Sequence, residues 1–397
     1  MEFRFTAEEE AFRTEVREFL RAELPSDWGE TMGVTGGLGE GGEDRWEFLR
    51  GFQKKLAKKG WLTLGWPKEH GGLAASHMMQ VIYNEEMTYQ RAPTQLGVGP
   101  DRVGPTIILY GTDEQKRNHL RGIVEAESLW CQGFSEPESG SDLASLRMRA
   151  VADGDDFIIT GQKIWTSFAH KADMCVLLVR TDQDAPKHKG ISYLLVDMRS
   201  DGIEIRPLVD MLNRHTFNEI FFDNVRVPRS SLIGELNRGW YVATATLDFE
   251  RSGINRVVAG MRTYDELVSY AAETSRNGGR IIDEPTVRNK LAELGIEFEL
   301  GRLLAYRVAS MQAKGQIPNA EASMSKLYGS EMQQRLAGAG LQILGLPGQL
   351  EPGSVHAPLA GALEQYYLLG AALTVAAGTS EIQRNIIASR GLDLPRG

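Results

Sequence analysis

The apolar positions at the start of the chain recur with helical spacing. Thr6 with Glu9 three residues on forms a capping box, and Phe12, Val16, Phe19 and Leu20 then fall on one helical face. The helical pattern runs to about residue 128. It is interrupted by Gly29 to Gly42, a glycine-rich stretch with few apolar residues that reads as a mobile loop. From about 129 the period changes. Short β-rich runs (Phe157–Thr160, Met174–Val179, Ile191–Val196, Ile203–Val209, Glu219–Val227) alternate with turn signals such as Asp153-Gly154-Asp155 and Lys189-Gly190. Long helical patterns return from Gly239, broken at Gly278-Gly279, Gly315 to Pro318 and Pro347 to Pro352. The expected architecture is α+β. It comprises an N-terminal α-helical bundle (1–128), a central small antiparallel β-barrel or sandwich (129–236) and a C-terminal four-helix bundle (237–397).

Composition narrows the function classes. The net charge of −9 argues against a duplex nucleic-acid binder, which needs clustered Lys and Arg to neutralise phosphates. No apolar run suggests a membrane span. Cys131 and Cys175 are too few and too far apart for a disulfide framework or a cysteine zinc site, and they suit a reducing compartment. The acidic start, MEFRFTAEEE, has neither a signal-peptide core nor a transit pattern, so a mature cytoplasmic protein is expected. There is no Gly-x-Gly-x-x-Gly after a strand, no Walker loop, no His-Glu-x-x-His and no Gly-x-Ser-x-Gly. The seven histidines do not pair at metal-ligand spacing, and no metal is expected.

Three segments carry candidate chemistry. Trp130-Cys-Gln-Gly-Phe-Ser-Glu-Pro-Glu-Ser-Gly-Ser-Asp142 is a tight loop rich in backbone amides and hydroxyls, able to hydrogen-bond a planar heterocycle or simply to turn the chain. Gly161-Gln-Lys-Ile-Trp-Thr-Ser167 reads as a strand with Trp165 and Ser167 on one face, a stacking surface beside a hydroxyl, although such a Trp is also a common core residue. In Ala376-Ala-Gly-Thr-Ser-Glu-Ile-Gln-Arg384, Gly378 permits a sharp turn, and Thr379 or Ser380 caps a helix whose N–H groups can meet a ligand oxygen.

In this order, across an α–β–α layout, the three segments resemble the acyl-CoA dehydrogenase family. The resemblance covers essentially the whole chain and includes Asn218-Glu-Ile-Phe-Phe-Asp-Asn-Val-Arg-Val-Pro228. It implies FAD as cofactor, an acyl-CoA substrate and an electron-transfer flavoprotein as acceptor. It also implies a homodimer or homotetramer, with a hetero-oligomer or a flavin oxidase or monooxygenase on the same fold as alternatives. Residue by residue it points to Gln132, Phe134, Ser135, Ser141, Trp165, Ser167, Thr379 and Glu381 near the cofactor. Gln342 and Gly345 would meet the FAD of a neighbouring subunit. The family's Arg-x-x-Phe-Gly element is missing, and Ser275-Arg-Asn-Gly-Gly279 stands about there.

Many members carry the catalytic Glu directly before Gly-Thr-Ser, where this chain has Ala377. A minority place it on an earlier helix, and Thr246-Leu-Asp-Phe-Glu-Arg251 is similar to that arrangement. The resemblance therefore implies Glu250 as base and Ser141, Asp248, Arg251 and Ala377 toward the substrate, the last through its backbone N–H. At 100° per residue Trp240, Leu247, Ile254 and Val258 would share one face of this helix, with Glu250 and Arg251 on its borders. By pattern alone Glu250 and Arg251 read equally as a solvated pair.

Overall fold

A computed structural model of the chain describes residues 4–28, 43–94, 96–248 and 253–395. They form two compact units. One gathers the described parts of Met1–Leu38, Ser76–Pro93 and Arg251–Gly397, the other those of Gly39–Ala75 and Thr94–Glu250. The glycine-rich stretch from Gly29 to Gly42, expected to be a mobile loop, lies outside the described residues.

The second unit is built on a sheet. Its strands are β1 (Trp130–Gly133), β2 (Arg149–Asp153), β3 (Asp156–Ser167), β4 (Met174–Arg180), β5 (Ile191–Asp197), β6 (Ile203–Leu208), β7 (Phe217–Pro228) and β8 (Leu232–Ile233). They run in the order β6-β7-β3-β2-β4-β5-β8, with β1 beside β4. Pairing is antiparallel except at β1–β4 and at a single β2–β4 bridge, Arg149 to Arg180. Strand β4 explains why its sequence reads as continuous apolar residues rather than as an alternation. Cys175, Leu177 and Val179 enter one core, and Val176 and Leu178 enter another on the opposite face. The second core also takes Val103, Ile107, Leu120 and Ile123 from the helical segments of this unit. The two thiols stand opposite each other in the β1–β4 register, both buried and free.

Helices α2 (Glu43–Lys58), α4 (Gly104–Tyr110), α5 (Asp113–Val124) and α6 (Gly239–Asp248) complete this unit. The Gln115 side chain on α5 donates to Ser230 O (2.7 Å) and Leu232 O (2.9 Å), tying helix to sheet.

The other unit is helical: α1 (Ala7–Glu23), α3 (His77–Tyr89), α7 (Ile254–Glu273), α8 (Pro285–Ala313), α9 (Asn319–Leu344), α10 (Ala362–Leu373) and α11 (Ser380–Ile386). Thr6 caps α1 in the expected capping box with Glu9. Val16 and Leu20 are buried as the pattern requires. So is Arg13, which the pattern does not foretell; it bonds Glu85 at 2.9 Å and Glu86 at 2.6 Å on α3. Glu85 also meets Arg302 of α8 at 2.8 Å. Helices α7 to α10 pack around Val257, Leu267, Leu294, Phe298, Met332, Leu336 and Leu363.

One expectation is corrected here. Trp240, Leu247, Ile254 and Val258 do not share one face of a single helix, because the left-handed Gly253 stands between them, outside the helix that begins at Ile254. Gly253, at φ 70°, supplies the left-handed residue that starts α7. That conformation costs an L-residue roughly 1–2 kcal/mol and glycine little.

Candidate functional site

The loop after β1 is fastened from beneath. Lys163, fully buried on β3, donates to Phe134 O at 3.0 Å and to the Glu136 carboxylate at 2.9 Å. Glu136 in turn accepts the Arg147 N–H (2.7 Å) and the Met148 N–H (3.0 Å). Burial pushes the Lys163 ammonium below its ordinary value, and Glu136 opposes the shift. Glu136 and Ser139 exchange backbone hydrogen bonds, and Ser139 Oγ donates to Asp142 O at 2.7 Å. Neither Lys163 nor Glu136 stood out in the sequence.

On this frame Gln132 is half-buried and accepts from Arg102 at 3.3 Å. Ser135 is half-buried, its carbonyl accepting the Ile164 N–H at 3.0 Å. Ser141 is exposed on the loop. The Phe134 ring is a core side chain, edge-on to Tyr193 at 5.9 Å, so only its backbone is left to meet a cofactor.

Trp165 owes its position to a bulge. Between the pairs Lys163–Ile220 and Thr166–Asn218, β3 has one more residue than β7. Strict alternation would place Trp165 on the buried side with Lys163. The extra residue turns it out instead, at φ 60°, leaving the ring 60% exposed. Thr166 is buried between it and a half-buried Ser167. Phe168 also has positive φ, at 56°. Two non-glycine residues in this region within four positions mark a locally strained segment, the kind found at ligand sites. A large exposed indole beside a serine, next to an amide-rich loop held rigid by a buried ion pair, fits a planar flavin.

The remaining candidates belong to the helical unit. Gln342 is exposed near the end of α9, and Gly345 follows at φ 71°. The segment replacing the Arg-x-x-Phe-Gly element is a two-residue hairpin, β9 (Ser275–Arg276) with β10 (Gly279–Arg280), whose Asn277 and Gly278 both have positive φ. Its Arg276 grips Glu284 through two bonds of 3.0 Å and donates to Ile343 O at 2.7 Å. That arginine is therefore fully engaged within its own chain.

In the third segment Ala377 is exposed at φ 55°, followed by Gly378 at φ 84°. The buried Gln383 amide holds this turn, donating to Ala377 O (3.1 Å) and Gly378 O (3.3 Å). Sequence reading missed Gln383 too. Thr379 caps α11, accepting the Ile382 N–H at 3.3 Å. Glu381 is exposed, and its own backbone N–H followed by the Thr379 hydroxyl holds its carboxyl below the usual range. Glu250 and Arg251 lie outside the described residues, and Asp248 is the last described residue of α6.

Among the described residues no helix is long and apolar enough to cross a membrane. Among the described residues no cluster of three His, Cys, Asp or Glu could hold a metal ion.

Comparisons with known proteins bear on the whole chain. Residues 6–127 match the N-terminal domain of acyl-CoA dehydrogenase, 131–225 its middle domain and 237–392 its C-terminal domain. The acyl-CoA dehydrogenase IpdE1 of Mycobacterium tuberculosis is 37% identical over 390 residues, covering 98% of each chain. Among solved structures, the Tcur3481-Tcur3483 steroid ACAD is similar at TM-score 0.90 and 36% identity, covering 100% of both chains. The ChsE4-ChsE5 complex from M. tuberculosis is similar at TM-score 0.89 and 34% identity, again over 100% of both chains.

Proposed function

This chain belongs to the acyl-CoA dehydrogenase family of FAD-dependent oxidoreductases, and we propose that it desaturates the α,β bond of an acyl-CoA thioester using Glu250 as base. One observation carries the reading. The turn at Ala377–Gly378 keeps a held conformation, fixed by Gln383, while lacking the carboxylate that many relatives of this kind place there. The carboxylate must then come from elsewhere, and Glu250 stands directly before an arginine on the alternative segment.

Bound FAD would supply the acceptor for the hydrogen and electron pair that leave the β-carbon. The chain's residues do the rest. Glu250 takes the α-proton, and an apolar wall around the thioester would raise its pKa toward working pH. The Ala377 N–H polarises the thioester carbonyl as enolate character develops. Arg251, Asp248 and Ser141 orient the coenzyme A portion. Trp165 packs on the ring system, Ser167 and the backbone of Phe134 and Ser135 border it with Gln132, and Thr379 and Glu381 line the cofactor from the third segment. An electron-transfer flavoprotein would be the acceptor of the reducing equivalents.

The acyl group proposed is bulky and polycyclic, because a steroid ACAD is among the structures that resemble this chain over its full length. Anaerobic titration with a panel of acyl-CoAs, followed by bleaching of the flavin band, tests this. Bleaching by a steroid-type thioester at much lower concentration than by short straight chains is expected. The reverse order would reject the substrate class, and no bleaching by any thioester would reject the reaction.

A second reading concerns assembly. Gln342 and Gly345 are proposed to meet a neighbouring subunit's FAD, in a homodimer or homotetramer. Two of the similar structures are named for pairs of different proteins, which makes a heteromeric assembly the competing reading. Light scattering of the chain purified alone is expected to give two or four copies with FAD retained. A flavin-free monomer that binds FAD only when mixed with a different chain of the family would establish the heteromer.

A further inference from the structure

Behind the exposed Trp165 lies a polar cluster that the proposed reaction does not use. Asn218 of β7 is fully buried and pairs in register with Thr166. Its amide nitrogen donates to Thr166 O at 3.0 Å, which fixes the amide's orientation, since a carbonyl can only accept. The amide oxygen therefore faces the other way. There it meets two imidazoles, His170 Nδ1 at 3.1 Å and His215 Nε2 at 2.8 Å. Both nitrogens must carry hydrogen, so the two rings are held in opposite tautomers. The rings stack at 3.9 Å with 23° between planes. Phe168, the strained residue beside Ser167, donates its N–H to Thr216 O at 2.9 Å, next to His215.

We propose that His170 and His215 are positioning residues: as a stacked pair donating to one Asn218 oxygen, they hold the Trp165–Ser167 bulge in the shape that meets the isoalloxazine ring. The proposal rests on the reading of Trp165 and Ser167 as the flavin-facing edge. The bulge lacks a regular ladder between residues 163 and 166, so something besides strand pairing must define it. Asn218 bonds the carbonyl at its base, and without the two imidazole donors the buried amide oxygen would be unsatisfied.

Protonating His170 leaves its Nδ1–H donor in place but sets a charge against the stacked His215 ring in a half-buried cluster. Burial, then the neighbouring His215, pushes the His170 imidazole below its ordinary value of 6.5. The unfolded chain thus binds the proton more readily, so the stability that His170 contributes is fully present above about pH 6.5 and is lost as pH falls. The charged groups on the elements around the pair are already matched. Lys171 beside His170 faces Glu43 at 3.8 Å, Arg214 beside His215 bonds Asp210 at 2.7 Å, and Glu204 pairs Arg206 on β6 at 2.8 Å. Glu219 on β7 bonds Gln162. Among the described residues no carboxylate bonds either ring.

Four variants test this. His170→Phe and His215→Phe keep a stacking ring and remove the donor. His170→Asn and His215→Gln place an amide N–H near Nδ1 and Nε2 respectively and cannot titrate. FAD affinity of the apoprotein and Trp165 emission, read without cofactor as parent minus Trp165→Ala, are measured from pH 5.5 to 8. Either Phe variant is expected to raise the FAD Kd roughly 10-fold, as one lost hydrogen bond would, and to shift the difference emission at every pH. The amide variants should restore both, and His170→Asn should abolish the loss seen in the parent below about pH 6.5. Phe and amide variants that behave alike, or emission indifferent to all four, would overturn the clamp. Emission that responds while the FAD Kd does not, in these variants and in Trp165→Ala, would keep the clamp and reject Trp165 as the flavin's neighbour.

Discussion

Replacing Glu250 by Gln is expected to slow flavin reduction by an acyl-CoA by ~10²–10⁴-fold, the usual loss for a general base. Gln keeps the size and hydrogen-bonding capacity of the side chain, so FAD content and thioester binding should survive. Arg251→Gln should behave differently. It removes a contact proposed for the coenzyme A portion, and it should raise the apparent substrate constant more than it lowers the limiting rate. The complementary variant is Ala377→Glu. Ala377 is exposed and already occupies φ 55°, so a longer side chain meets no new backbone penalty there. Placed on that turn, a carboxylate should recover part of the rate lost in Glu250→Gln, since Gln383 holds the turn through backbone carbonyls and not through the Ala377 side chain. Single-turnover stopped flow under nitrogen measures all three. Parent-rate reduction by Glu250→Gln with a good substrate would remove the base assignment.

Local signals in this sequence were read well because their causes are local. A capping box is two side chains and two N–H groups within four residues, and Thr6 with Glu9 forms one. Strand positions follow from period and turn chemistry, so Met174–Arg180 and Ile191–Asp197 appear where expected. The motifs around Trp165 and Ala377 marked two segments with strained turns. Other features depend on partners far along the chain. Arg13 sits on an apolar helix face because Glu85 and Glu86 meet it there, more than seventy residues away. A bulge adds one residue to a register that only the partner strand defines, so the outward turn of Trp165 cannot be read from β3 alone. The histidines showed no metal-ligand spacing, yet His170 and Asn218, 48 residues apart, share a hydrogen bond once β7 lies against β3. The motif points Phe134 toward the cofactor, and packing gives its ring to the core. Gly253 divides what periodicity joined, because helical spacing can persist across a break that one left-handed residue makes.

Truncating Glu136 is expected to destabilise the β unit more than any other single change in the amide-rich loop, by about 3–5 kcal/mol. Lys163 has no exposed surface, and its ammonium has two protein acceptors, Phe134 O at 3.0 Å and Glu136 at 2.9 Å. Glu136→Ala removes the carboxylate that Lys163 bonds and also strands the N–H groups of Arg147 and Met148. Lys163→Met is milder, because the carboxylate keeps those two N–H donors and the apolar stem is replaced in kind. The double variant Glu136→Gln, Lys163→Met should lie closest to the parent, since no buried charge remains. The pH dependence has a definite sign. Burial already lowers the Lys163 pKa in the folded protein from its ordinary value of 10.5, and loss of Glu136 lowers it further. Between the folded and unfolded values the unfolded chain binds more protons, so stability rises with pH. The deficit of Glu136→Ala should therefore shrink as pH rises toward the ordinary lysine value of 10.5, as the stranded ammonium gives up its proton. Urea unfolding at several pH values, with the double-mutant cycle to isolate the pair, measures this. A deficit below about 1 kcal/mol, or one that stays constant over that range, would mean that Lys163 is not held as an ion in the folded loop.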